Sequence, residues 1–189
     1  IKAGGYTVKF VGSFTTLKDE TANPAPVYPD ATYDRHHEGH WGWTADQVFA
    51  QLPTWLKGYT PGIALVHLGS NDVASGLAGA AKTTIADLRD IVGALRAKNP
   101  NVFVILAQIV PWDDFRNPVI TSLNSMVPAL ATELDKPDSR VVTVDMYAGF
   151  NCATMTHDTL HPNEIGEKFM ADRWFKALEP FLKIAKPCP

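Results

Sequence analysis

The chain is short of several things, and each shortage excludes a class of protein. It has two cysteines in 189 residues, Cys152 and Cys188. That is too few for a disulfide-dense miniature scaffold or a zinc module held by cysteines alone. Neither sign of charge is in excess, since 17 basic residues face 20 acidic ones for a net charge of −3. Such a chain carries no electrostatic footprint for nucleic acid or an anionic membrane. No apolar run approaches the ~20 residues of a membrane-spanning helix. Internal repeats, linkers and low-complexity tracts are missing too, so a single domain over residues 1–189 is expected.

What is present is ordinary for a globular domain: 46% hydrophobic and 20% charged residues, in a chain long enough to bury a sizeable core. Residues 6–12 (Y-T-V-K-F-V-G) alternate as a strand should. Residues 15–40 hold Pro24, Pro26, Pro29 and the His36–His37 pair with no regular period, and are expected to form a long loop. Thr44 with Gln47 makes a capping box ahead of Val48, Phe49 and Leu52, and Pro53 marks a break or a fresh first turn. Residues 63–68, 102–109 and 141–144 are short apolar runs, the pattern of strands covered on both faces. Between them lie helical periods at Leu88, Ile91, Val92 and Leu95, and at Ile120, Leu123, Val127, Leu130 and Leu134 after an Asn117 cap and Pro118. A last helix from about Pro162 is expected to bury Ile165, Phe169, Met170 and Leu178. Strands alternating with helices make βαβ units and a parallel sheet.

Ligands of such sheets bind beyond the carboxyl ends of the strands. Several polar groups fall there. Asp158 and His161, in D-T-L-H-P-N, suit a catalytic pair in which the carboxylate orients the imidazole and stabilises its positive form. Asn71, in G-S-N-D after the second apolar run, offers either an oxyanion donor or an ordinary helix cap. Gly42, in H-E-G-H-W-G-W-T, lends a backbone N–H or simply a turn, and Trp41 and Trp43 offer either a sugar-stacking wall or core. His36, His37 and His40 lack a companion cluster at ligand spacing, so no metal and no cofactor are expected. His67, inside an apolar run, is expected to be a hydrogen-bonded core histidine. A Cys152–Cys188 bridge, preferred over two reduced thiols, would contribute roughly 3–4 kcal/mol in the chain-entropy model and would favour a secreted, extracellular protein.

Taken together, the blocks G-W-T at Gly42, H-L-G-S-N-D at His67 and D-T-L-H-P-N at Asp158 resemble the SGNH (GDSL-like) hydrolases, and especially their acetylxylan-esterase branch. The order and spacing of the elements between them fit as well. The resemblance implies a three-layer α/β/α domain with a flavodoxin-like parallel sheet. It implies a serine carbohydrate O-acetyl esterase acting on acetylated polysaccharide or oligosaccharide. It casts Asp158 and His161 as catalytic residues and Gly42 and Asn71 as oxyanion donors, with Trp41, Trp43 and Trp112 as candidate substrate contacts. One block is missing. The family's G-D-S, at the end of its first strand, carries the nucleophile, and this sequence contains no G-D-S. The nucleophile is therefore expected upstream of Ile1. The slot of the absent first strand is expected to be refilled by that segment, by another copy, or by residues 6–12 moving inward. The last option would bring Ser13 toward the nucleophile position, although its sequence context does not match. A non-catalytic carbohydrate- or partner-binding relative is the alternative.

Overall fold

A computed structural model of the chain describes residues 5–16 and 32–182. Within them the elements run α1 (Ala45–Trp55), β1 (Ile63–Val66), α2 (Ser70–Val73), α3 (Ala80–Lys98), β2 (Phe103–Gln108), α4 (Asn117–Leu134), β3 (Val141–Asp145), α5 (Cys152–Met155) and α6 (Glu164–Leu182). The three strands form a parallel sheet in the order β1-β2-β3, with Leu65 beside Ile105 and Gln108 beside Asp145.

The central strand explains the layering. All but the last residue of β2 (F-V-I-L-A-Q) are buried. Successive side chains of a strand point to opposite faces. Val104 and Leu106 accordingly join the apolar cluster shared with α1, α3 and α4, while Phe103, Ile105 and Ala107 join the cluster beneath α6. The result is an α/β/α domain. Helix α3 is fixed by the spacing seen in its sequence: Leu88, Ile91, Val92 and Leu95 are 1–5% exposed. Burying each such side chain stabilises by about 1.5–3 kcal/mol relative to water.

Four local expectations change. Residues 6–12 form no strand: among the described residues Phe10 N–H donates to the Asp34 carboxylate instead of to a backbone carbonyl, and the one ladder contact nearby is an antiparallel bridge between Phe14 and His37. Helix α1 passes through Pro53 without breaking. Pro53 is exposed, and the burial of Val48, Leu52 and Leu56 on the opposite side holds the helix together. Asn117 is the first residue of α4, not its cap. Its Nδ2 donates to the Tyr147 hydroxyl at 3.0 Å. Ile165, expected inside, is 59% exposed, because in the first turn of α6 its neighbour Gly166 takes the inward position against the Met155 carbonyl.

Candidate active site

The D-T-L-H-P-N turn follows α5 and leads into α6. The Asp158 carboxylate organises it. Asp158 Oδ1 accepts from the backbone N–H of Leu160 at 3.1 Å and of His161 at 2.7 Å, while Oδ2 lies 2.7 Å from His161 Nδ1. These bonds, first the His161 backbone N–H and then its ring, lower the Asp158 pKa to about 2. The carboxylate is thus ionised at neutral pH and takes the Nδ1 side of the ring, leaving Nε2 for chemistry. Thr159 sits between the two with φ +70°. A β-branched residue there is strained by about 1–3 kcal/mol, so the surroundings must hold the turn.

Asn163 does that holding, a task that its place in the motif does not reveal. Its Nδ2 donates to the carbonyls of Thr154 and Thr156, both at 3.1 Å. Its Oδ1 accepts from the N–H groups of Ile165 at 3.0 Å and Gly166 at 3.2 Å. All four hydrogen-bonding positions of the amide are used, and α6 is capped in the same stroke. Gly166 allows the approach, since a Cβ there would run into the Met155 carbonyl.

The other half of the site follows β1. Asn71 Nδ2 donates to the Trp43 carbonyl at 2.9 Å, and both Asp72 carboxylate oxygens accept from Ala45 N–H at 3.1 and 3.2 Å. The G-S-N-D turn therefore caps α1 and clamps the loop carrying Gly42, whose φ is +77°. Of the two sequence alternatives for this stretch, the cap is the one these bonds show, with one Nδ2 hydrogen of Asn71 engaged by Trp43. Thr44 N–H donates to Gln47 Oε1 at 3.0 Å, as the capping box requires.

Glu38 has no role legible in the sequence, though it sits within H-E-G-H. Its carboxylate accepts from the Ser13 N–H at 3.1 Å, from the Ser13 and Tyr59 hydroxyls, and lies 3.1 Å from His40 Nε2. Burial works against its charge, but the bonds from Ser13, Tyr59 and His40 outweigh it and hold its pKa below the usual glutamate value. Burial and the same contact push the Tyr59 hydroxyl above the ordinary phenol range. Ser13 is thus tied to a carboxylate and not to an imidazole. Among the described residues no serine is hydrogen-bonded to His161.

Other expected residues lie elsewhere. Trp112 is 4% exposed in the core, its ring covered by the Arg116 guanidinium at 4.2 Å, so it offers no face to a sugar. Trp41 is 45% exposed and stacks on Phe14 at 5.6 Å. Trp43 packs partly buried against His40 and Trp55. His36 pairs with Asp34 at 2.6 Å, and His37 Nε2 lies 2.9 Å from the Thr16 carbonyl. His67 is half-buried where the sequence suggests a core position; its Nε2 is shielded from solvent without a hydrogen-bond partner, and this desolvation lowers its pKa to about 4. Cys152 is a free, buried thiol whose Sγ–H donates to the Pro111 carbonyl at 3.3 Å, where the sequence suggests a bridge. Cys188 lies outside the described residues.

This geometry has counterparts. Residues 10–169 match the GDSL-like Lipase/Acylhydrolase family. The chain is 30% identical to an acetyl esterase mutant solved with an acetate ion, covering 98% of this chain and 87% of that one at a TM-score of 0.84. It is 31% identical to a carbohydrate esterase family 3 protein from Talaromyces cellulolyticus, over 98% and 87% of the two chains at a TM-score of 0.83. A multidomain esterase of Ruminococcus flavefaciens is 25% identical over 169 residues; the match takes in 81% of this chain and only 22% of that protein's length. By fold the chain is similar to these esterases. The chain belongs to the GDSL-like lipase/acylhydrolase family.

Proposed function

We propose that this chain carries the acid–base pair and the oxyanion-binding side of a serine esterase that removes acetyl groups from carbohydrate. The observation that carries the proposal is the Asp158–His161 bond, 2.7 Å long, on a turn pinned by Asn163. In the complete enzyme His161 Nε2 takes the proton of a serine hydroxyl as its oxygen attacks the acetyl carbonyl. Gly42 N–H, the free Nδ2 hydrogen of Asn71 and the serine's own N–H stabilise the tetrahedral oxyanion. His161 then returns the proton to the departing sugar oxygen, and water releases acetate from the acyl-enzyme. The serine is proposed to come from a G-D-S segment preceding residue 1. Acetylated carbohydrate as substrate is supported by the acetyl esterase and carbohydrate esterase neighbours, and secretion is proposed with it.

Labelling the full natural protein with a serine-directed fluorophosphonate tests this. Label on a G-D-S peptide, together with cleavage of an aryl acetate and of acetylated xylan, is the expected result. A protein that neither labels nor hydrolyses these esters would leave the non-catalytic reading, which draws on the exposed, stacked face of Trp41 and expects sugar binding without turnover.

A further inference from the structure

The turn that carries Gly42 is anchored at its two ends. The His40 carbonyl accepts from the Trp43 N–H at 3.3 Å, and Gly42, third of the four residues, has φ +77°. That is the geometry of a type II turn, which favours glycine at its third position and stands the N–H of that residue out of the plane of the turn. Gly42 is exposed, and a Cβ added to it would meet nothing within 4 Å. Among the described residues its N–H donates to no protein group. The direction of that N–H is therefore set by the ends of the turn.

The Trp43 end is the clamp already described, the Asn71 amide on the Trp43 carbonyl. The His40 end is built more heavily. Its side chain is 7% exposed, although its neighbours Gly39 and Trp41 are exposed. The ring lies 4.0 Å from that of Trp55 and within 8° of parallel to it, while Trp43 at 4.7 Å and Phe14 at 4.6 Å close two further sides. His40 Nε2 lies 3.1 Å from Glu38 Oε1. A carboxylate only accepts, so Nε2 carries the hydrogen of this bond. Trp55 belongs to α1, and the Glu38 carboxylate accepts in turn from the hydroxyl of Tyr59, just beyond α1. The ring is thus tied to the folded body twice, by stacking and by hydrogen bonding. A phenylalanine would fill the same aromatic box. What the histidine adds is the bond to Glu38, which fixes the rotation of the ring as well as its place.

We infer that His40 is a positioning residue: its ring, boxed by Phe14, Trp43 and Trp55 and steered by Glu38, sets the direction of the Gly42 N–H. It touches neither the ester nor the attacking oxygen. The catalytic part of this inference rests on the proposed role of that N–H as an oxyanion donor, whereas the control of the turn does not. A donor aimed at the oxyanion acts when charge develops there. Misplacing it by about 1 Å is enough to cost on the order of 10²-fold in rate. The loss falls on kcat and not on KM, because the interaction is made in the transition state.

Two variants of the full natural protein, labelled with 15N-glycine, separate positioning from packing. His40→Phe keeps the aromatic box and lacks the Glu38 bond; His40→Ala lacks both. The order parameter of the Gly42 amide is expected to be about 0.85 in the wild type, reduced in His40→Phe and below about 0.6 in His40→Ala. With an aryl acetate, kcat should fall about tenfold in His40→Phe and about 10²-fold in His40→Ala, while KM stays within about twofold. Wild-type kcat and wild-type Gly42 order in His40→Phe overturn the inference, since packing alone would then suffice. So does a loss of kcat with Gly42 order unchanged. A rise in KM at constant kcat also overturns it, because His40 would then act on substrate binding. A wild-type protein that cleaves no aryl acetate counts against the proposed chemistry. The Gly42 amide then decides the control of the turn by itself: lost order in both variants sustains it, and unchanged order overturns it.

Discussion

At the scale of single residues, the Asp158–His161 pair and His67 are both ionisable but respond to acid for opposite reasons. Hydrogen bonds to its charged form depress the Asp158 pKa from 3.8 to about 2. Its contribution to stability is present above the unfolded value and is lost as pH falls from 3.8 through about 2. A carboxyl titration followed by carbon NMR should show a midpoint near the lower value; a midpoint at the ordinary value would mean the pair is not formed in solution. Replacing His161 by Ala should abolish turnover in the complete enzyme. Asp158→Asn should lower kcat by about 10³–10⁴-fold through loss of the correct tautomer. His67 is different, because burial disfavours its cation and lowers its pKa from 6.5 to about 4. The unfolded chain takes up that proton first, so the contribution of a neutral His67 is full above 6.5 and declines as pH falls toward 4. Urea melts of the wild type and of His67→Leu across this range should show a shallower acid decline in the variant. Identical slopes would assign the decline to another group.

At the scale of elements, the strands and long helices are legible in the sequence because each is a continuous apolar run or a clean helical period. β2 and α3 need nothing beyond that. Their ends are less legible, because ends are set by tertiary partners. Asn117 has the composition of a cap but spends its amide on Tyr147, and Asn163 lies one residue beyond the proline that suggests a helix start. The D-T-L-H-P-N turn is recognisable as a motif, while the clamp that holds it depends on two carbonyls of the preceding segment, invisible in spacing. Asn163→Ala removes a cap and two further bonds, an expected loss of about 2–3 kcal/mol. For a domain of this size that corresponds to a fall of roughly 5–10 °C in Tm. Gly166→Ala forces a methyl against the Met155 carbonyl and should cost about 1–3 kcal/mol. If both variants melt like the wild type, α5 and α6 are not joined as described.

At the scale of the whole molecule, the sheet order and the two-layer cover follow from the alternation of strands and helices, but the state of residues 6–12 does not. Their alternating pattern is that of a strand, and a pattern specifies a face without supplying a neighbour. Likewise Trp112 reads as a rim aromatic from its position after β2, yet it lies in the core beneath Arg116. The Glu38 knot is invisible in the sequence because Ser13, Glu38 and Tyr59 are far apart along the chain and ordinary individually.

That knot has a consequence for how the molecule comes apart. The described residues before α1 make no ladder with the sheet, and are held by the Tyr59–Glu38 bond, the His40 ring stacked 4.0 Å from Trp55, the Asn71 clamp on Trp43 and the packing of Tyr6 and Val8 against the cluster beneath α6. With so few ties they are expected to open while residues 45–182 stay folded. Limited proteolysis under native conditions should cut ahead of Ala45 first and leave a resistant fragment. Tyr59→Phe, which removes one tether, should speed that cleavage with little change in global Tm. A single cleavage rate for the whole chain, unaffected by Tyr59→Phe, would mean that the molecule unfolds as one piece.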